Sequence, residues 1–205
     1  MRLFIAGASG RVGCELVRLA LEEGHEVTAF VRQIKSMEPH ARLQIVQGDV
    51  LNYRAVLEGM SGADAVLSAL GTDGAQTLSK GIPHIIEAMR RHRIARIVAV
   101  GTAGILDSRF EPGKFRYESK ESKRKSKQAA HEHRRAYEYL RNSGLAWTIV
   151  CPTYLPDGIA HGSYRVEREM LPRDGEKITV GDTAAFTYAQ LFSSEFYESR
   201  IGICY

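Results

Sequence analysis

The stretch Arg2-Leu3-Phe4-Ile5-Ala6-Gly7-Ala8-Ser9-Gly10-Arg11-Val12-Gly13 decides the fold. Its first five residues form a short apolar run closed by glycine, the pattern of a parallel strand buried on both faces. Gly7, Gly10 and Gly13 then stand at relative positions one, four and seven. Beyond them Val12, Leu16, Leu19 and Ala20 repeat at helical spacing up to Gly24, a stop signal. Strand, glycine turn and helix in this order form a cradle for a dinucleotide. The glycines allow the tight turn, the close approach of backbone to pyrophosphate and the close packing of helix on strand. The helix N-terminus offers unpaired N–H groups and the positive end of its dipole. Gly7, Ser9, Gly10, Arg11, Val12 and Gly13 are therefore the expected phosphate contacts.

Coenzyme choice is read at the end of the second strand. A site for NAD places an Asp or Glu about 20 residues past the glycines to accept from the ribose hydroxyls. Here that region is Ala29-Phe30-Val31-Arg32-Gln33, without an acid. Arg32 offers a fork of donors suited to a 2′-phosphate, and Arg11 is placed to clamp the same phosphate from the other side. NADP(H) is the expected cofactor.

Outward from this unit, strand and helix signals alternate to the end of the chain. Strands are expected at Glu26–Val31, Arg42–Gln47, Asp64–Leu70, Ala95–Val100 and Leu145–Cys151, with smaller ones at Ser163–Arg168, Lys177–Val180 and Arg200–Cys204. Helices are expected near Asn52–Glu58, over Ile82–Arg93 with Pro83 in the first turn, over Lys123–Asn142, and from an Asp182 N-cap through Phe192. Repeated β-then-α units imply right-handed crossovers. The predicted fold is α/β: a doubly wound, Rossmann-like parallel sheet of order 3-2-1-4-5-6. Residues 1–205 read as a single NAD(P)-binding domain, with a small C-terminal substrate lobe mainly at 152–182.

Ligands of such sheets bind outside the carboxyl ends of the strands. Asp49 and Val50 are expected beside the adenine. Ala69, Leu70 and Gly71 are expected along the ribose and pyrophosphate, and Thr102 beside the nicotinamide.

Composition bounds the remaining possibilities. There is no apolar run near 20 residues and no signal-peptide pattern, so no membrane span is expected and the expected location is cytoplasmic. Cys14, Cys151 and Cys204 are far apart and form neither a metal motif nor a disulfide framework. Cys14 and Trp147 read as packing residues. His131 and His133 lie two apart on a helix and so face different sides, and no metal site is expected. The net charge of +4 is concentrated: residues 114–135 carry nine Lys or Arg against three Glu, while the rest of the chain is slightly acidic. Without aromatic platforms this segment does not predict nucleic-acid binding. It reads as a lid over the nicotinamide end, a partner surface or a solvated face.

Several stretches resemble the atypical short-chain dehydrogenase/reductases with an NAD(P)H-binding domain, in particular their flavin-reductase branch. These are the turn Gly7–Gly13, Phe30-Val31-Arg32, Gly48-Asp49-Val50, Ser68-Ala69-Leu70-Gly71 and Leu140-Arg141-Asn142-Ser143-Gly144-Leu145. The resemblance implies hydride transfer from NADPH to a flavin, quinone or similar small acceptor. It also implies catalytic positions: Thr102 beside the nicotinamide, His133 on the following helix, and Tyr154 in the matching segment Pro152-Thr153-Tyr154, which also touches the coenzyme. The Tyr-x-x-x-Lys pair of ordinary short-chain dehydrogenases is missing, since Tyr117 is followed four residues on by Glu121 and Tyr137 by Arg141. That argues against alcohol dehydrogenation. Two other readings stand beside this one: a non-catalytic NADP(H) redox sensor acting through a protein partner, and an NAD-dependent epimerase or dehydratase.

Overall fold

The computed structural model describes residues 1–34, 37–73, 76–122 and 126–205. Strands and helices alternate: β1 (Arg2–Ala6), α1 (Arg11–Glu22), β2 (Glu26–Val31), β3 (Leu43–Gln47), α2 (Tyr53–Gly59), β4 (Ala65–Ser68), α3 (Thr77–His92), β5 (Arg96–Val100), α4 (Gln128–Arg141) and β6 (Ala146–Pro152). β7 (Arg165–Arg168), α5 (Val180–Ala189) and β8 (Ser199–Cys204) follow. They build one sheet of order β3-β2-β1-β4-β5-β6-β8-β7. Its first six positions are the predicted 3-2-1-4-5-6. β8 extends it in parallel beside β6, and β7 closes that edge antiparallel.

Alternation along β1 explains the two layers. Leu3 and Ile5 face the side covered by α1 and α5, together with Leu16, Val27, Leu67, Val98 and Ala184. Phe4 and Ala6 face the side covered by α2, α3 and α4, with Phe30, Val56, Ile85, Ile97 and Trp147. Both faces of the central strands are dry, which is why they read as nearly continuous apolar runs. Burying each Ile or Phe contributes roughly 1.5–3 kcal/mol. No helix among the described residues is long and apolar enough to cross a membrane.

Five expectations need correction. α3 starts at Thr77, not Ile82, so Pro83 lies inside the helix rather than in its first turn. The true first turn is anchored from α4, where the buried Glu132 carboxylate accepts from the Ser79 N–H at 3.1 Å. α4 starts at Gln128; the earlier start at Lys123 falls outside the described residues, and Ser126 and Lys127 are not helical. The expected strand Lys177–Val180 reduces to a single bridge between Tyr154 and Lys177, and Val180 opens α5. The cap of α5 is Thr179, whose hydroxyl accepts from the Asp182 N–H, leaving the Asp182 carboxylate for other partners. Cys14 is exposed, because the inward face of α1 is taken by Val12, Gly13, Leu16, Val17 and Ala20.

Asp182 is fully buried and organises the C-terminal part. It accepts from the His161 and Gly162 N–H groups at 2.9 and 2.7 Å and from the Tyr205 hydroxyl at 2.6 Å. Burial alone would raise this carboxyl's pKa. The bonds from Tyr205, Gly162, His161 and Thr179 outweigh burial and hold it below the usual aspartate value. A lowered folded-state pKa adds stability that is present above the unfolded pKa and lost as pH falls through the folded one. Asp182→Asn is therefore expected to cost about 1–3 kcal/mol near neutral pH. In urea unfolding, the gap to the wild type should shrink below about pH 4, where aspartate titrates.

Candidate active site

The glycine turn is set by contact. Gly7 adopts φ +75°, and a Cβ there would lie 2.7 Å from the Ala69 carbonyl oxygen at the end of β4. A Cβ on Gly13 would lie 2.1 Å from the Gly7 carbonyl oxygen. α1 thus enters against β1 and β4 with no room for a side chain between them. Gly10 is the N-cap of α1 and gives it no side-chain cap, and the first turn carries no acid. The positive end of the helix is left facing the crevice above the sheet.

That crevice is a cavity of about 540 Å³ at the carboxyl ends of β2, β1 and β4. Of the expected coenzyme residues, Gly7, Ser9, Gly10, Arg32, Val50, Ala69, Leu70 and Gly71 line it. Val12 and Gly13 lie buried beneath, in the face of α1 that packs on the sheet. Asp49 is absent from the lining among the described residues, and its carboxylate accepts from the Leu51 N–H at 2.9 Å. Arg32 is joined by an acid the sequence reading did not single out: its Nη1 meets Asp73 Oδ2 at 2.5 Å. Arg11, expected to share a phosphate with Arg32, reaches the other way. Its Nη1 donates to the Leu155 carbonyl at 2.9 Å and to Asp157 Oδ1 at 2.8 Å.

A second cavity of about 370 Å³ opens at the ends of β5 and β6. It brings together Thr102, Thr153 and Tyr154, with Arg116, Tyr117, Glu121 and Lys127 from the connection after β5. Pro152 ends β6 and is buried. The Thr102 hydroxyl accepts from the Gly104 N–H at 3.5 Å and caps a short 3-10 turn at Ala103–Ile105. Tyr154 is largely exposed at the rim. His133, half-buried on α4, is not in the lining of either cavity among the described residues.

Four cations of the described part of the basic segment 114–135 pair with neighbouring acids. Lys114 pairs with Glu111, Arg116 with Glu121, Arg134 with Glu118 and Glu138, and Arg135 with Glu132. From beneath, the buried Arg200 of β8 donates to the Ile105 carbonyl and to Asp107, pairs with Glu169, and lies 4.4 Å from the Tyr137 ring centre. The wall of the second cavity is thereby fastened to the sheet. Burial pushes the Tyr117 phenol above its ordinary pKa, against the opposing pull of Arg134, so it stays protonated at neutral pH. Burial likewise pushes the Cys151 thiol up, which leaves it inert as a nucleophile.

With this geometry in view, comparison with known proteins identifies the lineage. A model of the NAD(P)H-binding family matches residues 7–194. The chain belongs to that family. It is 30% identical over 125 residues to a 2-alkyl-3-oxoalkanoate reductase of Stenotrophomonas maltophilia, covering 55% of this chain and 36% of that one. The chain thus spans only about a third of the length of that curated relative. Among solved structures, a candidate NADH-flavin reductase of Streptococcus pneumoniae TIGR4 is similar at TM-score 0.82 and 25% identity, covering 100% of this chain and 99% of that one. A candidate epimerase of Bacteroides thetaiotaomicron is similar at TM-score 0.84 and 27% identity, with coverages of 100% and 96%.

The two inner glycines differ in what a methyl group would meet. Gly13→Ala drives Cβ into the Gly7 carbonyl and is expected to destabilise the fold by roughly 1–3 kcal/mol or more. Gly10→Ala has its nearest contact at 3.2 Å and an ordinary φ of −79°. It is expected to change stability by less than about 1 kcal/mol, because its backbone suits alanine, and still to weaken dinucleotide binding by placing a methyl in the crevice. Urea unfolding and a dinucleotide titration on both variants check the split.

Proposed function

We propose that this chain is an NADPH-dependent reductase that passes hydride to a flavin, quinone or similar small acceptor. The observation that carries the reading is the arrangement of two cavities along one edge of the sheet. The first lies over the glycine turn at β2, β1 and β4, and the second lies at the next strands, β5 and β6. A dinucleotide laid across the first brings one end to the second.

The residues present fit the coenzyme. Gly7, Gly10 and the first turn of α1 form a cradle for pyrophosphate that a Cβ would fill. Val50 supplies apolar surface for the adenine, Leu70 lies along the ribose and pyrophosphate, and Arg32 supplies donors for the 2′-phosphate. When bound, the dihydronicotinamide supplies the hydride. Thr102, Thr153 and Tyr154 shape the acceptor pocket, and segment 152–182 contributes its outer wall. Lys127, among its lining residues, favours an anionic acceptor. Tyr117, whose phenol burial pushes above its ordinary pKa, is a poor base. Flavin or quinone reduction suits such a site, since the acceptor takes hydride first and solvent supplies the proton. His133 has no step in this scheme.

The test follows NADPH absorbance with FMN, a soluble quinone and an aldehyde as acceptors. Turnover is expected with FMN or the quinone and not with the aldehyde. Arg32→Ala should lower kcat/KM for NADPH by about 10- to 100-fold, the loss of a charge-assisted contact, and leave that for NADH within about threefold. Background rates with every acceptor, alongside tight NADPH binding, would replace the reductase with a non-catalytic sensor. Equal use of the two coenzymes would remove Arg32 as the selector.

A further inference from the structure

Arg32 is already engaged. It follows β2, while Asp73 follows β4, and the two strands flank β1 on either side. The pair at 2.5 Å therefore crosses the crevice above the end of β1, and both residues line the cavity that holds Gly7, Ser9 and Gly10. Each partner is anchored. The Gln47 side-chain amide donates to the Arg32 carbonyl at 3.2 Å. The other oxygen of Asp73, Oδ1, accepts from the hydroxyl of Thr77, the first residue of α3, at 2.7 Å. The pair is nevertheless accessible, with side chains 56% and 26% exposed. An exposed ion pair of this kind is weak and exchangeable. A phosphate offers the same guanidinium more charge and several oxygens.

We propose that Asp73 sets the coenzyme preference of this cleft: its carboxylate holds the position of a 2′-phosphate on Arg32, and NADPH binds by displacing it. The inference rests on the reading of Arg32 as the 2′-phosphate ligand. Two consequences follow from charge. Any fraction of molecules in which Asp73 holds Arg32 is withdrawn from NADPH binding, and apparent affinity falls in proportion. Once displaced, the carboxylate stays close to the incoming phosphate and repels it. NADH carries a neutral hydroxyl at the same place and has no anion to exchange. Asp73 therefore narrows a preference for NADPH that Arg32 alone would make wider.

The experiment measures dissociation constants for NADPH and NADH, and for the fragments 2′,5′-ADP and 5′-AMP. The proteins are wild type, Asp73→Asn, Arg32→Ala, the double variant and Asp157→Asn. Asparagine keeps the shape of the side chain and an oxygen for Thr77 while removing the charge. Asp73→Asn is expected to tighten NADPH and 2′,5′-ADP by about three- to tenfold and to leave NADH and 5′-AMP within about twofold, the range for freeing one exposed ion pair. In the Arg32→Ala background the competition for the guanidinium is gone, and the same substitution should change NADPH affinity by at most about twofold, through the remaining repulsion alone. Asp157→Asn removes an acid from the Arg11 pair and should leave the ratio of NADPH to NADH affinity within about twofold, because that pair lies away from Arg32. The inference is overturned if Asp73→Asn weakens NADPH, leaves it unchanged, tightens both coenzymes alike, or keeps its effect without Arg32. If the wild type binds NADPH no better than NADH and Arg32→Ala changes neither, the reading of Arg32 itself falls, and this inference with it.

Discussion

The contact between Gly13 and the Gly7 carbonyl constrains what is built above it. With 2.1 Å between that oxygen and the place of a Cβ, α1 cannot retreat from β1 without opening the core, and no larger residue can stand at the crossing. The direction of α1 follows from this contact, and so does the place of its uncapped N-terminus over the carboxyl edge of the sheet. Gly7 passes the constraint sideways to Ala69, which fixes where the chain leaves β4. The crevice is thus the space left when a helix, a turn and two strand ends are packed as tightly as backbone allows.

Charge distributes the remaining loops around that space. Every expected phosphate-binding arginine is held by an acid far away in sequence: Arg32 by Asp73 and Arg11 by Asp157. Deeper in, Arg200 carries its charge under the connection after β5 and shares it among Asp107, Glu169 and the Ile105 carbonyl. The exposed pairs can exchange partners at little cost. The buried one cannot, because removing its cation would strand acids partly withdrawn from water. The same chemical pairing therefore serves adjustable parts at the rim and fixed parts beneath.

Much of the fold was legible because its strands are buried on both faces and its first turn is spelled in glycines. Runs such as Leu3–Ala6 and Ile97–Val100 admit few other readings, and six strands alternating with helices after a dinucleotide-type glycine turn fit the doubly wound order. What local pattern could not give was competition between neighbours. Thr179 and Asp182 are both good caps, and the choice between them depended on the His161 and Gly162 amides, about 20 residues away. Pro83 suits the first turn of a helix beginning at Ile82, where its missing N–H costs nothing, yet the helix starts a turn earlier, and Glu132 on another helix secures that turn. The glycine turn and the strand ends of the candidate site were readable. The partners of Arg11 and Arg32 were not, since pairs 146 and 41 residues apart leave no trace in spacing.

The antiparallel strand β7 has an effect on the outside of the molecule. Parallel sheets end in rows of unpaired amide and carbonyl groups, an invitation to strand-by-strand association with a neighbour. Here the last strand is four residues long and reads Arg-Val-Glu-Arg. Its arginines turn back onto the chain, Arg165 to the Arg173 and Tyr205 carbonyls and Arg168 to Ser199 and the Glu195 carbonyl. A short, reversed and charged margin offers a poor template for another copy. The strand that finishes the sheet thus also guards against fibrous growth, leaving the apolar runs inside free to be as hydrophobic as the crevice requires.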